Sequence, residues 1–239
     1  GTPDSWSIMW DKKYKGQVLM FNNSRDAFGI AQFLLGIDVN TTSEQDWKKA
    51  YQKLKEQKPV VQSYVMDDVF NKMEGGEAAI AAYYAGDCIG MAENNPDLAF
   101  VYPKEGTNIF VDSICIPKGC QNKDAAELYI NFLLRGDIAL ANAECLCYAT
   151  PNQAVLDNED YSFGDNEMLY PDEEHTPTTE YFHNLDSETL MLMTSLWDNL
   201  KIEGNDVMSV YIGLITFAVI VVVYFIYRTI RKKKRESMY

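Results

Sequence analysis

Gln17–Asn22 (QVLMFN) sets four consecutive apolar side chains between polar ends, the pattern of a strand buried on both faces. Directly after it, Ser24 can cap a helix that runs to about Leu35 and is stopped by Gly36. The same switching between short apolar runs and helical periodicity predicts a helix from Thr42-Ser43-Glu44 to about Glu56 and a strand over Val60–Val65. A short helix, Asp67–Met73, then ends at Gly75-Gly76, and a strand over Ala78–Tyr84, a helix over Gly86–Glu93 and a strand over Leu98–Tyr102 follow. This β-α-α-β-α-β-α-β rhythm is that of an α/β lobe. It places Asn22–Asp26 at the C-terminal end of the first strand, the ligand position of open α/β sheets. Phe110–Pro117 (FVDSICIP) reads as one more strand, and Lys123–Leu134 and Asp137–Cys145 as helices. Tyr148-Ala149-Thr150-Pro151-Asn152 ends regular structure in a proline turn, and residues 156–183, rich in Asp, Glu, Pro and Thr, read as a wrap over the surface. In Ser187–Lys201, Leu190, Met193, Leu196 and Trp197 recur at helical spacing.

The longest apolar run comes near the end. Met208–Tyr227 holds twenty positions without a charged side chain, and Arg228, Arg231, Lys232, Lys233, Lys234 and Arg235 follow. At about 1.5 Å per residue, such a helix reaches roughly 30 Å, the depth of a bilayer's hydrocarbon core. The pattern predicts a transmembrane helix over 207–228 with a basic cytoplasmic tail over 229–239, which puts the preceding domain outside the cell. A buried helix of a soluble domain is the competing reading, but few are apolar on every face for so long.

Charge narrows the partners. Without the tail, residues 1–206 carry 15 basic against 34 acidic side chains, about −19 in all. Such a field repels nucleic acid and anionic lipid and draws in cations, although a solvated acidic surface would look the same. Five cysteines, Cys88, Cys115, Cys120, Cys145 and Cys147, lack the spacing of a zinc site and read as small core residues, with an optional disulfide from Cys120 to Cys145 or Cys147. Asn22-Asn23-Ser24 and Asn40-Thr41-Thr42 are sequons that matter only in a eukaryotic secretory pathway. Gly1 opens the chain without an export signal, so the sequence reads as the C-terminal portion of something longer.

No hydrolase, zincin or phosphate-loop motif occurs, and the two histidines, His175 and His183, both lie in the polar wrap, so neither an enzyme nor a cofactor is expected. What recurs is a carboxylate or amide beside an aromatic residue at strand ends: Asn23 and Asp26, Tyr83-Tyr84, Phe110 with Asp112, and Tyr148 before the proline turn. Each alone is more readily structural than functional. Together they make walls suited to an alkyl-ammonium ligand, since carboxylates pair with ammonium heads and aromatic faces accept cation–π and methylene contacts.

Several motifs carry a resemblance. Tyr14-Lys15-Gly16, Asn22–Phe28 (NNSRDAF), Met73–Glu77 (MEGGE), Tyr102–Gly106 (YPKEG), Asp112-Ser113, Ile116-Pro117, Ile130–Arg135 (INFLLR) and Tyr148–Asn152 (YATPN) resemble the second half of the spermidine/putrescine-binding receptors of polyamine ABC importers. The similarity runs from about Ser5 to Lys201, and the Pro-Lys-Glu-Gly motif followed by aromatic-x-Asp-Ser is its most specific part.

The resemblance implies a type II periplasmic-binding fold, here one complete lobe plus part of the other, closing on ligand about a hinge. Residues 1–111 would be the second lobe, 112–150 the returning strand and helices of the first, and 151–206 a C-terminal wrap and helix. It also implies that Asp26 receives an amine, that Asp112 is the carboxylate two positions after an aromatic, and that Tyr84, Phe110 and Tyr148 are wall positions. Asn23 stands where the family carries an aspartate, which favours a shorter diamine or a neutral hydrogen bond, and His183 falls near a family glutamine. The expected partners are a polyamine, the permease subunits of an ABC transporter and, through the C-terminal helix, a bacterial cell membrane; nucleic acid is not one. The alternatives are a receptor of the same fold for a metal chelate or organic ion, and an extracellular hydrolase using paired carboxylates.

Overall fold

The structure, a computed structural model, describes residues 3–202, 215–221, 224 and 228. The chain divides into two compact units, Gly1–Thr194 and Ser195–Tyr239, and both sheets lie in the first. Strands β1 (Val18–Phe21), β2 (Val61–Val65) and β3 (Ile80–Ala81) form a parallel sheet in the order β2-β1-β3. All four residues of β1 are buried, as a central parallel strand covered on both faces must be.

Helices α1 (Ser24–Leu35) and α2 (Glu44–Gln57) connect β1 to β2. The cap of α1 is Asn23, one residue earlier than the sequence suggests: its side chain accepts the Arg25 backbone N–H at 2.9 Å. Gly36, at φ 63°, ends the helix in the left-handed conformation that glycine adopts without strain. Phe28 of α1 meets Trp47 of α2 edge-on with ring centroids 5.2 Å apart, and both are fully buried. Helices α3 (Asp68–Glu74) and α4 (Ala85–Asn94) flank β3, and Leu19, Val65, Val69, Met73, Ala78 and Met91 form the core between them and the sheet. Truncating Leu19 there should cost about 2–5 kcal/mol, since the site is closed on every side.

A second, two-stranded parallel sheet joins β4 (Thr107–Ile109) to β5 (Thr179–Tyr181). Between them come α5 (Lys123–Leu133), α6 (Gly136–Leu146) and α7 (Gln153–Leu156), with a small core of Ala139, Ala143, Val155 and Tyr161. Helix α8 (Ser187–Ile202) closes the first unit and enters the second, in which residues 215–221 are helical.

Several expectations need correction. Leu98–Tyr102 is not a strand; side chains rather than a ladder hold it, Phe100 edge-on to Tyr102 at 4.9 Å and the Tyr102 hydroxyl donating to the Met168 carbonyl at 2.6 Å. Phe110–Pro117 is not a strand either, because pairing with β5 stops at Ile109 and the apolar alternation beyond it finds no neighbour among the described residues. The polar stretch 156–183 is more than a wrap, since it contributes β5 and Tyr161. All five cysteines are free; Cys147 is buried, whereas Cys115 and Cys145 are exposed. The membrane-spanning segment expected at Met208–Tyr227 lies largely outside the described residues, among which no helix is long and apolar enough to cross a membrane.

Candidate ligand cleft

With strand order β2-β1-β3, the chain leaves β1 toward one side and later returns to the other, so a crevice opens beyond the C-terminal ends of β1 and β3. Phe21 and the first turn of α1 line one bank, and Tyr83, Tyr84 and the start of α4 the other. The cleft has a volume of about 820 Å³ and extends along β4 to Phe110, Val111 and Asp112, and across to Tyr148 and Phe182.

Asp26 sits in the first turn of α1 and is only 6% exposed. The Tyr84 hydroxyl donates to its Oδ2 at 3.1 Å, and the Asn108 amide approaches Oδ1 at 3.5 Å. Its neighbour Arg25 directs its guanidinium instead to the Val39 carbonyl at 2.8 Å and to Asn40 Oδ1 at 3.0 Å. Burial raises the Asp26 carboxyl above its usual range, more than the Tyr84 hydrogen bond and the Arg25 charge lower it. Burial, and then the charge of Asp26, push the Tyr84 hydroxyl up as well. A carboxylate held in a largely aromatic crevice with neutral donors, and with the Arg25 guanidinium bonded elsewhere, is only partly compensated in charge, and a cation entering the crevice would complete it.

Aromatic rings run from this carboxylate across the cleft. Ring centroids lie 4.9 Å apart for Phe21 and Tyr84, 5.4 Å for Tyr84 and Phe110, and 6.3 Å for Phe110 and Tyr148. Tyr148 can approach so closely because residue 86 is glycine: a Cβ there would lie 2.4 Å from the ring. Burial and the charge of the nearby Asp87 carboxylate raise the Tyr148 phenol, while burial raises Asp87 itself. Burial, Asp87 and Asp67 push the Tyr83 hydroxyl up to about 12.

Of the residues singled out from sequence, Asp26, Tyr84, Phe110, Asp112 and Tyr148 all line this one cleft, with Asp112 exposed on it. Asn23 and His183 do not. Asn23 is exposed, with its side-chain oxygen committed to capping α1. His183 is exposed, and its backbone N–H donates to Asn40 Oδ1 at 2.8 Å. Sequence reading missed Phe21, Asn108 and Phe182, although the apolar end of β1 and the residue beside His183 were within its view.

Comparison with known proteins agrees with this architecture. Residues 1–164 match the family described as bacterial extracellular solute-binding protein. The chain is 33% identical over 177 residues to the spermidine/putrescine-binding periplasmic protein of Escherichia coli K12, a match covering 74% of this chain and 51% of that one. It is 26% identical over 211 residues to the putrescine/cadaverine-binding protein of Pseudomonas aeruginosa, covering 84% and 59%. Among solved structures, a Listeria monocytogenes protein assigned to spermidine/putrescine ABC transport superposes with a TM-score of 0.78 at 31% identity, over 83% of this chain and 62% of that one. The spermidine/putrescine ABC transporter substrate-binding protein of Streptococcus pneumoniae gives a TM-score of 0.70 at 28% identity, over 84% and 62%. The fold is therefore that of the periplasmic binding proteins. The chain spans about half the length of the curated relatives it matches.

Proposed function

Because this chain belongs to the bacterial extracellular solute-binding proteins, we propose that it is the ligand-contacting part of a polyamine receptor that passes putrescine or spermidine to an ABC importer. The observation that carries this reading is Asp26, a buried carboxylate whose hydrogen-bond donors among the described residues, Tyr84 and Asn108, are neutral, opening into a crevice of aromatic rings with Asp112 further along it. One ammonium group of the ligand pairs with Asp26 and a second with Asp112, while Tyr84, Phe110 and Tyr148 flank the methylenes between. With Asn23 committed to the helix cap, these two carboxylates set the charge that the ligand must match, which favours a diamine. The names of the relatives point to the same ligand class.

On this reading no bond of the ligand is broken, and residues 1–111 and 112–150 belong to the two lobes that close on it. The apolar run Met208–Tyr227 with its basic flank serves as a tether, with the binding domain outside and the C-terminus in the cytoplasm. Calorimetric titration of putrescine, spermidine and spermine into the full-length protein, beside Asp112→Asn, tests the proposal. The variant should bind about 10–100-fold more weakly, the loss expected for a charge-assisted contact. Unchanged affinity would remove Asp112 from the site, and no heat with any amine from a folded protein would remove polyamines as the ligand.

A further inference from the structure

Phe182 lies beyond the residues that the sequence motifs single out, yet it forms one wall of the cleft. Its ring rests on α1 at Gly29, where a Cβ would lie 2.7 Å from the ring's Cζ; any other residue would push the ring away. The residues on either side of it are tied to a single side chain. Asn40 Nδ2 donates to the Tyr181 carbonyl at 2.8 Å, and Asn40 Oδ1 accepts the His183 N–H, also at 2.8 Å. Arg25 locks the arrangement, donating to that same Asn40 Oδ1 at 3.0 Å and placing its guanidinium 4.5 Å from the Phe182 ring centroid.

We propose that Phe182, seated on Gly29 and clamped by Asn40 and Arg25, is a specificity-determining wall that reads the length of the ligand's methylene chain. The inference rests on the polyamine reading above. Its physical basis is the division of the ring's surroundings. One face already carries the Arg25 cation, which repels an incoming ammonium group, so what Phe182 offers to the cleft is apolar ring suited to methylenes. Asn40 and Arg25 are positioning residues: they touch the backbone and ring of the 181–183 segment, and neither is among the residues lining the cleft. The side-chain amide of Asn40, part of a sequon, is consumed by this clamp.

The test is calorimetric titration of trimethylenediamine, putrescine, cadaverine and hexamethylenediamine into the full-length protein. Charge is constant along this series and only the methylene count changes. In the parent, affinity should change by about fourfold per methylene on approaching the best length. In Phe182→Ala that dependence should fall to about twofold or less per methylene. Asn40→Ala should flatten it in the same direction, with no further change when the two are combined. Gly29→Ala, which favours its helix and moves the ring into the cleft, should shift the optimum to a shorter diamine and keeps the test available should Phe182→Ala fail to fold. A parent that binds diamines and a Phe182→Ala or Gly29→Ala variant with the parent's length profile would overturn this inference alone. A folded parent that binds no diamine would overturn the polyamine reading and this inference with it.

Discussion

At the residue scale, Asp26 trades stability for function. Its carboxyl titrates above its unfolded value because burial outweighs the Tyr84 hydrogen bond and the Arg25 charge. The folded protein therefore holds the proton more tightly, and stability falls as pH rises from the ordinary carboxylate value through the raised one. Asp26→Asn should accordingly raise the ligand-free Tm by a few degrees at pH near 7, with the gap closing in acid below the ordinary carboxylate range, while amine binding is lost; thermal melts against pH, with and without putrescine, measure both. A variant no more stable than the parent at neutral pH would mean that the ionised carboxylate is well solvated. Asp26 was legible in the sequence because a buried strand followed at once by a capped helix places the helix's first turn at the mouth of the sheet. Asn23 was misread because asparagine serves equally as a ligand contact and as a helix cap, and its side chain went to the cap. Phe182 was passed over although its neighbour His183 was singled out, since what seats it is Gly29, far away along the chain.

At the element scale, α4 begins where the aromatic wall ends. Tyr84 precedes its first turn, and Gly86 within that turn lets the Tyr148 ring lie against backbone. Gly86→Ala should improve the intrinsic helix propensity of α4 yet drive Tyr148 out of place, because the new methyl would sit within 2.6 Å of three ring carbons. We expect affinity for putrescine to fall about tenfold, the scale of one lost aromatic contact, while far-ultraviolet circular dichroism stays unchanged. Unaltered affinity would mean that the ring yields without cost to binding. The helices were the most legible elements, since caps and apolar periodicity are local properties. Strands were less so: Phe110–Pro117 has the alternation of a strand but lacks a paired neighbour among the described residues, and Thr179–Tyr181, inside a polar stretch, is a strand only because Thr107–Ile109 lies beside it. A strand depends on its partner, and the partner is not written in the local pattern.

At the scale of the whole molecule, α5 is amphipathic but buries none of its residues: Leu128 is 71% exposed, Tyr129 61% and Phe132 43%. Val111, Ile114 and Leu134 are exposed too, and exposed apolar side chains in this number are of the kind that drives association. Sedimentation velocity on the 239-residue chain should show concentration-dependent association, weakened about tenfold or more by Leu128→Lys with Leu134→Lys. An unchanged distribution would locate the association elsewhere. The parallel pairing of β4 with β5 has a different kind of consequence. Val18 pairs with Val61 once α1 and α2 have been traversed, whereas Thr107 pairs with Thr179 only across the longer stretch that holds α5, α6 and α7. Closing that loop adds entropy cost before any contact rewards it, so the sheet around β1 should assemble early and the β5 wall late. During refolding, secondary structure should recover before amine binding does, and the interval between them would time the arrival of Phe182.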